Sequence, residues 1–560
     1  MFAVLSLLLF LLMQLCVGAL HWYEPKVQLV YGRDIVLLVV LVMVLAHTRL
    51  ARVTVWVASL LGGIIVLFEW VRAVGIQAMA QEPLLYDAVF LGKHLYILLG
   101  DLLGDEANRI ILAVVGALFF AMVVFRTGFG IIAAASKKNG WAYITVMAVF
   151  LGGAVSWAES DDSPVVGRDT LRETADNLQR SHDVWQSLQT GLDGSLYEDI
   201  ASLELKKKPR VHVYIIESYG RASIRGSIRD RYTTYMSDIE QRIQQAGWHI
   251  ATGLSEAPVM GGRSWLADAT MLSGVRIRYE SEYRHLSPQF SEMTTLPGFF
   301  RRNGYETIVM RPKDRARPGL ELVNYFDYTR TVFWADLDYK GRQYGWVGIP
   351  DQYSLGHIRD VVMPDLEAPE FVFAHLGSSH LPWTNLPPVM RDWRLLSRIP
   401  SRNKDEAVEG LNEKQVRFQL GRFRRQENVR IQRLRATDSN VEKYLDAVTY
   451  SIEVTVRHIE DMDDPPDLIV MMGDHQPPLY RRNTDFTVPV HLFARDKRLL
   501  SEFRKNGFLH GIELGSWDER MYHEGFFSLM VRALSAAEQG PSITYRKRGN
   551  AMVDDQEDTE

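Results

Sequence analysis

Hydropathy divides this chain before any motif does. Apolar residues crowd the first 157 positions, and from Glu159 onward the composition is that of a water-soluble protein. A chain divided in this way is expected to fold as a membrane-embedded part followed by an aqueous part, because about 20 consecutive apolar residues suffice to cross a bilayer. Met1 to Leu20 is one such stretch and carries no charged side chain. A cleaved signal peptide is the alternative, but the basic leading segment of a signal is missing and further apolar runs follow. Those runs are Ile35–Ala46, Val53–Phe68, Ile110–Phe125 and Trp141–Trp157.

Leu84–Leu103 is ambiguous, since it contains Asp87, Lys93, His94 and Asp101, which are costly in hydrocarbon. It reads as an interfacial or re-entrant segment with snorkelling charges, or as a contact to lipid head groups. The basic loops His47–Arg52 and Arg126–Lys138 should both face the cytoplasm. Five spans with the N-terminus inside satisfy that requirement and six do not. Everything after Trp157 then lies outside the cytoplasm.

The expected organisation is a transmembrane domain over 1–157, a polar connector over 158–205, an α/β domain over 206–540 and a charged, disordered tail over 541–560. In the α/β domain the β-branched or apolar runs Val211–Ile216, Thr307–Met310, Phe371–His375, Leu468–Met472 and Val488–Phe493 read as strands. Helical patterns such as Asn440–Ile459 separate them, and Asp518–Leu534 follows the last. Alternation of this kind implies a central sheet with helices on both faces and ligands at the carboxyl ends of the strands. An insertion near 390–437 interrupts the pattern. From Arg391 to Arg435 it has 13 Lys and Arg against 6 Asp and Glu, which suits either a solvated helical insertion or a surface for anionic lipid or polymer. The net charge of −5 gives no reason to expect a nucleic-acid partner. The one cysteine, Cys16, excludes an intramolecular disulfide.

Four segments carry candidate chemistry. Val211–Ile216 runs into Glu217, a carboxylate suited to capping a helix or binding a cation. Leu468–Met472 runs into Gly473-Asp474-His475, which pairs a hard oxygen ligand with an imidazole. Phe371–His375 continues through Gly377-Ser378-Ser379 to His380, so two histidines flank small residues. Gly261-Gly262-Arg263-Ser264 places a hydroxyl where a helix would start, as an N-cap or as a nucleophile favoured by the helix dipole.

The ordered set Glu217, Ser264, His380, Asp474-His475 resembles the alkaline-phosphatase/sulfatase superfamily. It is most similar to its membrane transferases: lipoteichoic acid synthases, phosphoglycerol transferases and phosphoethanolamine transferases. Ser264 lies ten residues before Gly274 in a segment ending Met-Leu-Ser-Gly, as the nucleophile does before Leu-Thr-Gly in the sulfatase signature. The resemblance covers about residues 206–535 and implies an α/β sulfatase-like domain with a mixed sheet. It implies Glu217, Ser264, Asp474 and His475 as ligands of one divalent metal, Mn²⁺ or Zn²⁺, with Ser264 also the nucleophile. His380 would protonate the leaving group or hold the phosphate with His375, and Arg311 or Arg317 would be a further phosphate contact. The implied partners are a phospholipid donor and a glycan or lipid acceptor, and the implied location is a bacterial cytoplasmic membrane with the catalytic domain outside. Ser264-Trp265-Leu266-Ala267-Asp268 lacks the pattern needed for formylglycine, which disfavours sulfate-ester hydrolysis. The absence of cysteine from the aqueous part favours the phosphoglycerol-transferring branch over the disulfide-bearing phosphoethanolamine transferases. A hydrolase of the same fold and a non-catalytic envelope scaffold remain as alternatives.

Overall fold

The computed structural model describes residues 2–18, 29–79, 82–87, 105–158, 165–190, 192, 196–316, 322–383, 385–399, 440–479, 485–514 and 516–550. They form two units, Met1–Gln186 and Ser187–Glu560.

The first unit contains α1 (Phe2–Gly18), β1 (Leu29–Gly32), α2 (Arg33–Leu45), α3 (Ala51–Met79), α4 (Asp105–Ala158) and β2 (Val165–Arg168), and ends within α5 (Thr170–Thr190). Two stretches, Ala51–Ala73 and Ile111–Gly153, are long and apolar enough to cross a membrane. Large apolar side chains point outward along them, among them Trp56, Leu60, Leu112, Phe119 and Val149. In water such a surface would be an aggregation site; in a bilayer it is the solvated face. The expected loop Arg126–Lys138 is helical instead. It contains no proline, and Phe129, Ile132 and Ala135 are buried in the apolar core, which outweighs the glycines at 128 and 130. The chain turns only at Gly140, whose φ of 60° and ψ of −150° interrupt α4. Of the ambiguous segment Leu84–Leu103, all beyond Asp87 lies outside the described residues.

Polar contacts close one end of this unit. The Gln14 amide exchanges hydrogen bonds with the backbone of Gly32. Thr170 Oγ1 donates to Glu69 Oε1 at 2.8 Å, and the Leu171 amide donates to Asp34 Oδ2 at 3.0 Å. These bonds satisfy charges that could not be buried alone.

In the second unit the sheet is built from β3 (Val211–Ile216), β4 (His249–Glu256), β5 (Glu306–Arg311), β6 (Arg330–Phe333), β7 (Glu370–Leu376), β8 (Leu468–Gly473), β9 (Thr487–Ala494), β10 (Leu509–His510) and β11 (Met521–Tyr522). Its order is β10-β4-β9-β8-β3-β7-β5-β6, with β11 also paired to β4. Strands β8, β3, β7, β5 and β6 are mutually parallel, and β9 runs against β8 and β4. The sheet is therefore mixed, as expected.

Side chains alternate across it. Tyr214, Ile216, Ile469 and Met471 face a core shared with α6 (Arg229–Gln245) and α11 (Asn440–Glu460). Val211, Val213, Ile215, Val470 and Met472 face a core shared with α7 (Ser264–Ser273), α9 (Leu296–Arg302) and α12 (His523–Ala537). The remaining helices used below are α8 (Glu280–Leu286) and α10 (Asp351–His357).

Two expected boundaries shift. The connector does not stay apart: Tyr197, Ile200, Leu203 and Leu205 belong to the second apolar core. The tail from 541 is ordered through residue 550, since Ile543 is buried and the Asn550 amide donates to Gly274 O at 2.8 Å. Its charge does not keep it apart from the fold, since Arg546 is paired with Asp199 at 3.0 Å. The tail beyond 550 and the basic insertion from 400 lie outside the described residues.

Gly473 ends β8 where the chain passes closest to its neighbour. A Cβ there would stand 1.8 Å from the Tyr219 carbonyl oxygen, a backbone atom that cannot swing away. Gly473→Ala should therefore cost about 1–3 kcal/mol, read as a lowered thermal midpoint of the detergent-solubilised chain. An unchanged midpoint would show that this approach is not tight.

Candidate active site

The site follows from register. Ile216 of β3 pairs with Leu376 of β7 on one side and with Gly473 of β8 on the other. Three parallel strands thus end level with one another, and neighbouring strands lie about 4.8 Å apart. Glu217 and Asp474 emerge one step beyond that line, and His375 one step before it. Fourth to arrive is Ser264, the first residue of α7, delivered by a turn in which Gly261 (φ 72°) and Arg263 (φ 62°) are left-handed.

These side chains meet. Ser264 Oγ lies 3.0 and 2.9 Å from the two carboxylate oxygens of Glu217 and 3.4 Å from His475 Nε2. His475 Nε2 is 3.3 Å from both Glu217 Oε1 and Asp474 Oδ2. All four residues are buried.

Asp474 is oriented in a telling way. Its Oδ1 accepts from the amides of Ser218 and His475, both at 2.7 Å. Its Oδ2 is buried without a hydrogen-bond partner. A buried carboxylate oxygen that approaches the His475 and His375 rings, at 3.3 and 3.5 Å, without a hydrogen bond is costly unless something positive completes it. His475 is arranged to match: Nδ1 faces Gln476 O at 3.0 Å, which leaves Nε2 with its lone pair toward the cluster. Oxygen donors plus one imidazole fit a divalent cation of the Mn²⁺ or Zn²⁺ kind. His375 stands beside this set, donor atoms of Glu217, His375 and Asp474 lying within 4.8 Å of one another.

Three residues that sequence reasoning passed over complete the site. Asp268 lies 2.9 Å from His375 Nδ1 and forms an ion pair with Arg311. Lys313 Nζ sits 2.8 Å from Glu217 Oε2 and 3.1 Å from His375 Nε2. His523, the first residue of α12, braces the loop from below: Nε2 is 3.1 Å from Asp474 O and Nδ1 is 2.8 Å from Ser255 Oγ. Asp268 was findable, because i and i+4 share a helix face and Ser264 stands four residues earlier. Lys313 and His523 gave no such signal.

Arg311 is engaged by Asp268, so its link to the centre runs through that carboxylate and His375. Arg317 lies outside the described residues. His380 is partly buried and near enough to Glu217, Lys313 and His475 for their charges to act on it, with Nδ1 against Leu381 O.

Electrostatics follow from burial and pairing. Burial would raise the Glu217 pKa, but Lys313, His375 and His475 outweigh it and hold the carboxyl well below its ordinary range. Burial also opposes charge on His375, yet Asp268 brings it up to about 10. His475 is raised in the same way, with Asp474 and Glu217 overcoming burial. Burial pushes His380 down and His523 down to about 4.

Residues 266–543 match the sulfatase family model. No curated protein sequence matches the chain. Similar solved structures include the lipoteichoic acid synthase LtaP from Listeria monocytogenes, at 12% identity over 64% of this chain and 81% of that one, with a TM-score of 0.36. The C-terminal periplasmic domain of EcEptC from Escherichia coli is 14% identical over 63% of this chain and 90% of that one, with a TM-score of 0.36. The phosphonate monoester hydrolase of Agrobacterium radiobacter is 13% identical over 58% and 73%, with a TM-score of 0.32. Residues 266–543 of the second unit thus make up a sulfatase-family domain.

Proposed function

We propose that this chain is a membrane-bound, metal-dependent phosphotransferase. It takes a phosphoglycerol or phosphoethanolamine group from a phospholipid, holds it as phospho-Ser264, and passes it to a glycan or lipid acceptor outside the cytoplasm. The observation that carries the reading is the Ser264 hydroxyl, held at a helix N-terminus between both oxygens of Glu217 and the ring of His475.

In this reading Glu217, Ser264, Asp474 and His475 hold one Mn²⁺ or Zn²⁺. When bound, the cation would supply Lewis acidity, favouring the serine alkoxide, with the Ser264 proton going to water, and negative charge on the phosphoryl oxygens. The chain's own groups do the rest. Glu217 aims Oγ at phosphorus. The positive end of the α7 dipole, at Ser264, attracts the phosphate oxygens. Lys313 and His375 add positive charge at the same place. His380 passes a proton to the departing alkoxide, and takes one back from the acceptor hydroxyl. The apolar helices keep the enzyme on the membrane that contains the donor, which raises its effective concentration. Five spans in a bacterial cytoplasmic membrane, N-terminus inside, would leave the second unit on the outer side.

Ser264→Ala should lower kcat by at least about 1000-fold while leaving the thermal midpoint of the solubilised chain within a degree or two. Normal turnover in that variant would remove Ser264 as nucleophile.

Metal affinity should fall with acid. His475 must give up a proton to become a ligand, and its pKa is raised above the usual histidine value. Below that pKa the apparent affinity should drop about tenfold per pH unit, measured by titrating stripped protein with Mn²⁺ or Zn²⁺. A pH-independent affinity would exclude His475 from the ligand set.

Omitting the acceptor separates transfer from hydrolysis. A transferase fed phosphatidylglycerol or phosphatidylethanolamine should release diacylglycerol at most about a tenth as fast without an acceptor alcohol, the phosphoenzyme accumulating. Equal rates would mark a hydrolase.

A further inference from the structure

His380 is the one candidate catalytic group outside the carboxylate cluster, and an aromatic ring covers it. Trp346 lies face to face with the imidazole, with ring centroids 4.4 Å apart and an interplanar angle of 19°. The residue is carried on a tight turn in which Tyr344 and Gly348 exchange both backbone hydrogen bonds at 3.0 Å. Arg315 fastens the turn from its flank, donating to Val347 O at 2.8 Å while its guanidinium lies 4.3 Å from the centre of the Trp334 ring.

The turn and the loop bearing His380 interlock. Val347 fills the space a side chain at Gly377 would need, 2.4 Å from the place of its Cβ. Asp351, which opens α10 just after the turn, accepts from the amides of Gly377 and Ser378 at 2.8 and 2.9 Å and from Ser451 Oγ at 2.6 Å. The Asp351 amide in turn donates to Ser378 Oγ at 3.0 Å. One buried carboxylate thus staples the Trp346 segment to the His380 segment. With Nδ1 committed to Leu381 O, Nε2 is the ring nitrogen left to meet a ligand.

We propose that Trp346 is a positioning residue, whose indole face holds the His380 ring so that Nε2 delivers its proton to the departing oxygen. The inference rests on the phosphotransfer reading. In the step concerned, the bond from Ser264 Oγ to phosphorus forms and the bond from phosphorus to the ester oxygen breaks. The electron pair of the broken bond stays on the departing oxygen, which takes the Nε2 proton and leaves His380 neutral. The acceptor hydroxyl restores that proton in the second step. An indole face over an imidazole also favours its protonated form, the one needed for donation.

Two substrates with different leaving groups test this on the full-length, detergent-solubilised chain. Bis(p-nitrophenyl) phosphate expels a phenol of pKa about 7, which departs as the anion; a phospholipid expels an alcohol of pKa about 16, which needs a proton. In Trp346→Leu the ratio of kcat on phospholipid to kcat on the nitrophenyl ester should fall about tenfold, a fraction of the full worth of a general acid. Trp346→Phe, which keeps an aromatic face, should restore most of the ratio. In a His380→Ala background the Leu replacement should cost nothing further. Equal losses on both substrates, an unchanged ratio, or losses that add to those of His380→Ala would overturn the positioning role. Wild-type protein that cleaves the nitrophenyl ester but neither phosphatidylglycerol nor phosphatidylethanolamine would overturn the donor assignment and this role with it. Wild-type protein inactive on every substrate would bring down the phosphotransfer reading itself.

Discussion

Three carboxylates, Glu217, Asp268 and Asp474, are buried within a few ångströms of the same histidine, His375. Leaving that much negative charge in a dry pocket costs several kcal/mol per group unless cations answer it. Most of what is distinctive in the site is that answer. Arg311 pairs with Asp268, Lys313 with Glu217, and His375 lies between all three acids. Asp474 Oδ2 alone has no hydrogen-bond donor. The charge pattern therefore points at one place, where Asp474 Oδ2, Glu217, His475 Nε2 and Ser264 Oγ face one another, and there a divalent cation has both the donors and the electrostatic reason to bind.

That concentration of charge depends on the sheet. A parallel ladder ends all its strands at the same level only if the register is held, and here Ile216, Leu376 and Gly473 keep level across three strands. The pleat sends alternate residues to opposite apolar cores, so a slip of one residue would bury polar groups in both. The close passage of Gly473 past Tyr219 lets the next two residues turn inward, where the Ser218 and His475 amides take Asp474 Oδ1. Tyr444 of α11 secures the neighbouring turn, donating to Ser218 O at 3.0 Å and accepting from the Gly220 amide at 3.1 Å.

What was legible in the sequence was whatever has a local signature. Buried strands announce themselves as short apolar runs, so β3, β5, β7, β8 and β9 were read close to their observed bounds. Glu217, Asp474 and His475 stood out because polar residues directly after such runs need a reason. Strand β4, His249–Glu256, was missed because His-Ile-Ala-Thr-Gly-Leu-Ser-Glu reads as a half-polar segment, although six of its eight positions are buried. Its polar groups are satisfied by distant residues, Thr252 by His491 of β9 at 2.9 Å and Ser255 by His523 of α12. No pattern along the chain encodes such pairings. Lys313 and His523 were hidden for the same reason, being defined by residues tens to hundreds of positions away. Hydropathy pointed to the apolar helices of the first unit but set a turn at Arg126–Lys138 too early, because basic residues alone do not end a helix whose apolar face is still buried.

The nucleophile helix is constrained at both ends by distant parts of the chain. At its start, Ser264 is set by Glu217 and His475. At its end, Gly274 adopts a left-handed φ of 72°, and its carbonyl accepts from Tyr197 OH at 2.9 Å and from the Asn550 amide at 2.8 Å. One of those donors comes from the stretch after α5 and the other from near the C-terminus, and the two are themselves joined through Asp199 and Arg546. Nine of the ten residues of α7 are buried. A helix so enclosed cannot slide along its axis without breaking contacts at both ends. The position of one serine oxygen, which decides whether phosphorus can be attacked in line, is thereby fixed by the packing of the whole second unit rather than by its immediate loop.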